Sequence, residues 1–305
     1  MSEGYKDPIS LMVHSTVRIQ CEDAQGGTSS GTGYIFLFCD DGTNSVPCVV
    51  TNKHVIEGKV RGVFHMTLRG QDGEPMLGNH EAVIVEQLEA SCIKHPDPSV
   101  DLAVLPIATV INAASRRGGD YYFVPLTHNL IPTRELLDSL SPLENIVMIG
   151  YPTGLWDQVH NLPIIRRGIT ATHPRLPLNG KSEFLIDAAC FPGSSGSPVF
   201  LADLGSYASR GGMVVGTRIN LLGTLYAGPV LNTEGEIVVI DVPTESRQVA
   251  RGHIPTNLGY VVSSSRLTEM EDIVRARITN PPSRNSPCPC GKPARFKECC
   301  GTVRR

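Results

Sequence analysis

Long hydrophobic runs are missing from this 305-residue sequence, and aromatic residues make up only 6% of it. No apolar stretch approaches the roughly 18 residues of a membrane-spanning helix, so no membrane association is expected. The first twelve residues carry Glu3, Lys6 and Asp7. No uninterrupted apolar core follows them, which argues against a secretory signal. We therefore expect a cytoplasmic protein.

The sequence also lacks a large excess of charge of either sign, because the net charge is only −3. This value excludes a protein whose overall charge binds nucleic acid. The charge is unevenly distributed, however. Residues 281–305 carry a net charge of +5, which leaves −8 for the remaining 280 residues. Contact with nucleic acid or a ribosomal surface is therefore expected only through this basic tail.

Helical patterns are rare, whereas short strand-like runs recur along the chain. The runs are rich in β-branched residues, are bounded by turn residues and follow each other about every ten residues, which is typical of β-sandwiches and barrels. Examples are Val13–Gln20, Tyr34–Phe38, Val46–Thr51, Val60–Leu68, Ala82–Val85, Leu102–Ile107, Ile146–Ile149, Phe184–Ile186, Pro198–Leu201, Met213–Ile219 and Ile237–Asp241. The clearest helical periodicity covers Ser265–Ile278, and Thr133 is placed to cap a short helix over residues 135–140.

Three polar motifs stand beside predicted buried strands. His54 follows the strand that ends at Thr51, and Asp101 precedes the apolar run that begins at Leu102. Ser195 lies between Gly193 and Gly196, just before another strand. A serine hydroxyl needs an adjacent base, an imidazole can accept and return its proton, and a carboxylate fixes the imidazole tautomer. The flanking glycines let backbone N–H groups converge on one oxyanion.

These motifs resemble those of trypsin-like serine peptidases, in particular the HtrA-type branch. The resemblance covers roughly Leu11 to Thr279. It rests on Gly31–Ile35 with Val50–Ile56, on Asp101–Leu105, on Ile149–Pro152, on Asp187–Val199 and on Gly259–Val262. It implies a mostly β protein with two six-stranded antiparallel β-barrels and a C-terminal helix. It further implies a catalytic triad of His54, Asp101 and Ser195, and an oxyanion hole formed by the backbone N–H groups of Gly193 and Ser195.

The same resemblance indicates where the substrate pocket would lie. Its base would be Ala189, six residues before the nucleophile, which does not favour cleavage after Lys or Arg. Thr217 and Arg218 would lie in the strand that lines the cleft; Arg218 could attract an acidic side chain or simply face solvent. Ser194 stands where secreted trypsins have an aspartate that binds the new N-terminus, so activation by N-terminal cleavage is not expected.

The last part of the chain has a different chemistry. Cys288, Cys290, Cys299 and Cys300 place two thiols on each side of an eight-residue loop. Four thiolates suit a closed tetrahedral zinc site, and so short a segment would need the metal to fold. The pattern resembles the SEC-C motif, in which Cys300 stands where that family has Cys or His. The resemblance implies structural zinc and docking to a protein partner.

The five remaining cysteines are Cys21, Cys39, Cys48, Cys92 and Cys190. We interpret them as buried small hydrophobic residues, although Cys39 and Cys48 flank a turn and could pair in an oxidising compartment.

The sequence thus predicts a serine endopeptidase domain over residues 1–280, a linker over 281–287 and a zinc-binding motif over 288–301. The substrate would be a protein or peptide, and catalysis itself would need no cofactor. Two other functional classes stay open. The peptidase fold could serve as a non-catalytic peptide-binding scaffold, or the zinc segment could be a redox or metal-storage module.

Overall fold

A computed structural model describes residues 7–152, 155–209, 211–237 and 248–279, together with Asn285 and Arg295. The strands in chain order are β1 (Thr16–Asp23), β2 (Thr28–Phe38), β3 (Val46–Thr51), β4 (Lys59–Arg69), β5 (Pro75–Glu86), β6 (Ile93–Lys94), β7 (Ala103–Pro106), β8 (Asn145–Gly150), β9 (Ile164–Thr170), β10 (Glu183–Asp187), β11 (Pro198–Asp203), β12 (Ser206–Ser209), β13 (Gly212–Val215), β14 (Arg218–Ala227), β15 (Val230–Ile237), β16 (Gln248–Pro255) and β17 (Leu258–Ser263). The helices are α1 (Pro8–Met12), α2 (Lys53–Ile56), α3 (Leu88–Ser91), α4 (Ala108–Arg116), α5 (Arg134–Ser139) and α6 (Ser265–Thr279), and 3₁₀ turns cover Val13–Ser15 and His128–Leu130.

Two antiparallel β units dominate the molecule. The first seven strands form one sheet in the order β5-β4-β1-β2-β3-β7-β6. A second unit is a closed six-stranded barrel in the order β10-β17-β14-β11-β8-β9. Two hairpins, β12-β13 and β15-β16, stand apart from both units as separate two-stranded sheets. The predictions of a mostly β protein and of one closed six-stranded barrel are therefore confirmed.

The first unit differs from the six-stranded barrel that was predicted. It is an open seven-stranded sheet, with β5 and β6 at its two edges. Closure would require these edges to pair, but β6 offers only two residues for a ladder. Strand periodicity in a sequence identifies strands, but it does not show whether the two edges of a sheet meet.

The two helices predicted from the sequence are present. Helix α6 ends the described body and buries Leu267, Met270 and Val274. Helix α5 begins after Thr133, whose hydroxyl accepts a hydrogen bond from the backbone N–H of Leu136 at 3.3 Å. None of the helices in the described ranges is long and apolar enough to cross a membrane.

Three strands of this fold are buried on both faces. In β3 and β7, alternate residues pack into the core of the first sheet and into a second core between the sheet and the barrel. In β11, Val199 and Leu201 fill the barrel interior, whereas Phe200 and Ala202 join the core shared with the first sheet. Because both faces of these strands are closely packed, the strands fix the positions of the backbone at their ends, where the polar residues of the motifs lie.

Candidate active site

The imidazole of His54 and the carboxylate of Asp101 form the most direct contact among the predicted site residues. His54 Nδ1 lies 2.5 Å from Asp101 Oδ2, and the backbone N–H of His54 donates to Asp101 Oδ1 at 3.2 Å. The contact arises because α2 begins directly after β3 and Asp101 lies two residues before β7, which pairs with β3. The Asn52 side chain also donates to the backbone carbonyl of Asp101 at 2.7 Å.

Another carboxylate nearby, that of Asp97, does not contact the imidazole. Its Oδ1 accepts hydrogen bonds from the backbone N–H and the hydroxyl of Ser99, at 2.9 and 2.7 Å. The backbone carbonyl of Asp97 accepts from Lys53 Nζ at 2.7 Å. Of these two carboxylates, only that of Asp101 therefore contacts the His54 imidazole.

The serine motif contacts the first sheet through a residue that the sequence prediction missed. Thr32 is fully buried, and its N–H donates to the Ser195 carbonyl at 2.9 Å. Its hydroxyl donates to the Gly193 carbonyl at 2.9 Å. Thr51, three residues before His54, donates from its hydroxyl to the Thr32 carbonyl at 2.8 Å. These bonds bring the Ser195 backbone and the end of β3 together.

Gly196 makes this close approach possible. Its φ is +89°, and a Cβ atom placed on it would lie 1.8 Å from the carbonyl oxygen of Thr32 and 2.7 Å from Thr51 Oγ1. No other residue type fits both this conformation and this space. In the sequence, the signal for this contact is a threonine placed between two glycines, Gly31 and Gly33.

The Ser195 hydroxyl does not contact His54 in this structure. Its Oγ donates to the carbonyl of Tyr226 at 3.3 Å instead. The backbone N–H groups of Gly193 and Ser195 have no acceptor in the described part of the chain. They are therefore available to bind an oxygen atom from outside the chain.

The strand that runs past the serine is the end of β14, not the segment predicted from the sequence. Gly196 N–H donates to the Leu225 carbonyl at 2.8 Å, and Leu225 N–H donates to the Ser197 carbonyl at 2.9 Å. Thr217 and Arg218 stand before and at the start of β14, roughly 26 Å from Tyr226 at about 3.3 Å per residue. The structure therefore does not bring these two residues to the site. The sequence alone does not show which part of this long strand pairs beside the serine.

Arg218 has a structural environment instead. Its Nη2 lies 2.7 Å from Asp203 Oδ2 and 2.7 Å from Glu144 Oε2, and only 11% of its side chain is exposed. Its guanidinium also lies over the Tyr207 ring, 4.3 Å from the centroid. A buried ion network satisfies this arginine.

Replacing Arg218 with alanine should lower the free energy of unfolding by about 3–5 kcal/mol, because two buried carboxylates lose their cation. Urea unfolding would measure this change. Arg134→Ala is the matched control, since its ion pair with Asp138 is largely exposed and contributes about 0–1 kcal/mol. An Arg218→Ala variant that is as stable as the wild type would contradict this interpretation.

Ala189, the predicted pocket base, lies in the loop before Ser195. Its carbonyl accepts a hydrogen bond from Arg166 Nη1 at 2.6 Å. The neighbouring Cys190 side chain packs against Gly228 and Gly259, where added Cβ atoms would lie 3.7 Å from its Cβ and 2.7 Å from its Sγ. A side chain at Gly259 would therefore clash with the Cys190 thiol.

The thiols of the described residues are all free, and most are unreactive because they are buried. Burial raises the pKa of the Cys190 thiol to about 11, so it stays protonated at neutral pH and cannot replace serine as the nucleophile. Cys21, Cys48 and Cys190 are buried as predicted, whereas Cys39 and Cys92 are only partly buried. Cys39 and Cys48 do not form a disulfide.

The predicted zinc ligands Cys288, Cys290, Cys299 and Cys300 lie outside the described residues, as do the predicted linker and tail apart from Asn285 and Arg295. Within the described ranges, no group of three or more His, Cys, Asp or Glu side chains is placed to hold a metal ion.

Two β units that meet at a His–Asp pair and a glycine-flanked serine are consistent with the chymotrypsin fold. The family model for the trypsin-like peptidase domain matches residues 31–207, more than half of the chain. The chain therefore belongs to the trypsin-like peptidase family. No match was found among curated proteins.

Several solved structures are similar to this chain. The HtrA-type protease AlgW with tripeptide is 18% identical, with a TM-score of 0.47, and the match covers 88% of this chain but only 62% of that one. The protease Rv3671c from M. tuberculosis is 16% identical, with a TM-score of 0.41 and coverage of 86% and 85%. The thermostable serine protease AL20 from an extremophilic microorganism is 13% identical, with a TM-score of 0.45 and coverage of 87% and 98%.

Proposed function

We propose that the protein is a serine endopeptidase that hydrolyses peptide bonds of a protein substrate. The observation that carries this proposal is the 2.5 Å contact between His54 Nδ1 and Asp101 Oδ2, next to a glycine-flanked serine. Membership of the trypsin-like peptidase family supports the same reaction class.

In this mechanism the Ser195 hydroxyl rotates from the Tyr226 carbonyl towards His54. His54 Nε2 removes its proton while Oγ attacks the substrate carbonyl, and Asp101 holds the Nδ1 proton and stabilises the imidazolium. The free N–H groups of Gly193 and Ser195 bind the oxyanion. His54 then protonates the leaving amine, and water hydrolyses the acyl-enzyme by the same route. Catalytic hydrogen bonds are often absent before substrate binds, so the present Ser195 contact is compatible with this scheme.

The test is to compare the N-termini of cellular proteins in cells that express the wild type or Ser195→Ala. New N-termini that depend on Ser195 would support an endopeptidase and identify its substrates. The second candidate function is a non-catalytic peptide-binding scaffold, which the contact between Ser195 and Tyr226 favours. Identical N-termini in both cell lines, together with binding of peptides by the purified protein, would establish the scaffold.

We further propose that Cys288, Cys290, Cys299 and Cys300 hold one structural zinc ion. The donor set fits this metal, since four thiolates fill a tetrahedral site and leave no position for water. Zinc would fold the segment and present its basic surface to a protein partner. The five free thiols of the described residues support a reducing, cytoplasmic location, in which clustered cysteines bind metal.

Native mass spectrometry of the reduced protein is expected to show one zinc ion per chain. Removing the metal with a chelator should leave hydrolysis of a small peptide substrate intact, because the proposed triad contains no metal. The control is Cys92→Ser, which lies in the body and should keep the zinc, whereas Cys288→Ser should lose it. A metal count of zero, or hydrolysis that disappears with the metal, would contradict this assignment.

A further inference from the structure

A buried guanidinium lies against the loop that carries the proposed oxyanion hole. Arg166 belongs to β9, and its Nη1 donates to the Ala189 carbonyl at 2.6 Å and to Ser194 Oγ at 2.8 Å. Its Nε and Nη2 atoms are buried and have no partner in the residues that the structure describes. No described carboxylate forms an ion pair with it. Within the described ranges, the side-chain hydrogen bonds of Arg166 thus all go to this one loop.

This arrangement is costly unless the loop needs it. Burying a charged group without a counter-ion costs several kcal/mol, and burial here lowers the pKa of the arginine. An apolar side chain would avoid that cost. Met148, which pairs with Arg166 across the two strands, is such a side chain and lies in the barrel core. The two hydrogen bonds that offset the cost go to the loop before the proposed nucleophile. They fix the Ala189 carbonyl and the Ser194 hydroxyl.

One of the two proposed oxyanion donors lies between these two contacts, and the other follows them directly. Gly193, at φ +86°, lies between Ala189 and Ser194, and Ser195 follows directly. On one side, Thr32 binds the carbonyls of Gly193 and Ser195. On the other side, Arg166 binds Ala189 and Ser194. Within the loop, the described backbone offers a turn in which Ser194 N–H donates to the Phe191 carbonyl at 3.0 Å.

We propose that Arg166 is a positioning residue, which holds the loop so that the N–H groups of Gly193 and Ser195 point at the oxyanion. This inference rests on the proposed peptidase function. It also explains how Ser194, which has no charge, can be held from within the barrel. The cation is the guanidinium of Arg166 in β9, and the Ser194 hydroxyl accepts a hydrogen bond from it.

The test compares Arg166→Ala with Arg167→Ala. Arg167 is the next residue on the same strand and is exposed, and among the described residues its side chain donates only to Asn145 Oδ1, so it is a matched control. In Arg166→Ala, kcat is expected to fall about 10²–10³-fold, as when an oxyanion-hole donor is lost, while KM changes little. Affinity for a peptide aldehyde, which forms the oxyanion, should fall with kcat. Added methylguanidinium should restore part of kcat in Arg166→Ala only.

Three results would overturn the inference. The first is a kcat for Arg166→Ala that equals that of Arg167→Ala. The second is a loss that affects only substrates with an acidic residue at the cleavage site, since Arg166 would then read the substrate. If Arg166→Ala does not fold, Ser194→Ala replaces it in the test, because it removes the hydroxyl that accepts one of the two hydrogen bonds from Arg166. The third result that would overturn the inference is an unchanged kcat in Ser194→Ala.

The outcomes also separate this inference from the function on which it rests. A wild-type protein that neither cleaves peptides nor takes a fluorophosphonate label would contradict the peptidase proposal, whatever Arg166 does. A wild-type protein that is active, beside an equally active Arg166→Ala variant, would overturn the role of Arg166 alone.

Discussion

A fluorophosphonate is expected to add one covalent label to the folded wild-type protein, and Ser195→Ala should take none. Peptide hydrolysis by Ser195→Ala should fall by several orders of magnitude, because the members of a triad act as a unit. The physical reason is the position of Ser195, whose backbone Thr32 holds beside the end of β3. Mass spectrometry of the labelled protein measures the stoichiometry, and initial rates measure the loss.

Two neighbouring serines test the register of this assignment. Ser194 is buried and its Oγ accepts from Arg166, and Ser197 is fully buried in the same motif. Ser194→Ala must therefore still be labelled at Ser195, even if labelling is slower. A label that peptide mapping places on Ser194 would show that the nucleophile has been assigned one residue too late.

The sequence predicted the parts of the site that depend on local pattern. A histidine after one apolar strand and an aspartate before another are local signals, and strands β3 and β7 that bear them pair directly with each other. The glycines around Ser195 also mark a local requirement, which Gly196 shows by its contact with Thr32. Local patterns of this kind survive folding because each depends on only a few residues.

The parts that the sequence did not predict depend on long-range register. The strand beside Ser195 was expected at residues 216–219, but β14 runs on for ten residues and its far end, at Tyr226, reaches the serine. The residues of a strand do not indicate which of them will lie beside a residue about 30 positions away in the sequence, as Tyr226 lies beside Ser195. The role of Arg166 was not predicted for the same reason. Two adjacent arginines in a strand give no sign in the sequence that one of the two guanidinium groups is buried.

Asp101→Asn is expected to keep the fold and to lower kcat about 10⁴-fold, because the amide oxygen would accept the hydrogen bond from the His54 backbone N–H and the amide NH₂ would then face His54 Nδ1. The amide would instead donate to Nδ1, which leaves the proton on Nε2 and removes the base that Ser195 needs. The fold should persist because the bond from Asn52 goes to the backbone carbonyl of residue 101, which the substitution keeps. Circular dichroism would check the fold, and stopped-flow or initial-rate assays would give kcat.

The matched control for this variant is Asp97→Asn, in the same loop. The Asp97 side chain binds Ser99 rather than His54, and an asparagine oxygen can accept those same hydrogen bonds. Its activity should therefore stay close to that of the wild type. Loss of activity in Asp97→Asn with Asp101→Asn unaffected would show that the acid that orients His54 in solution is Asp97.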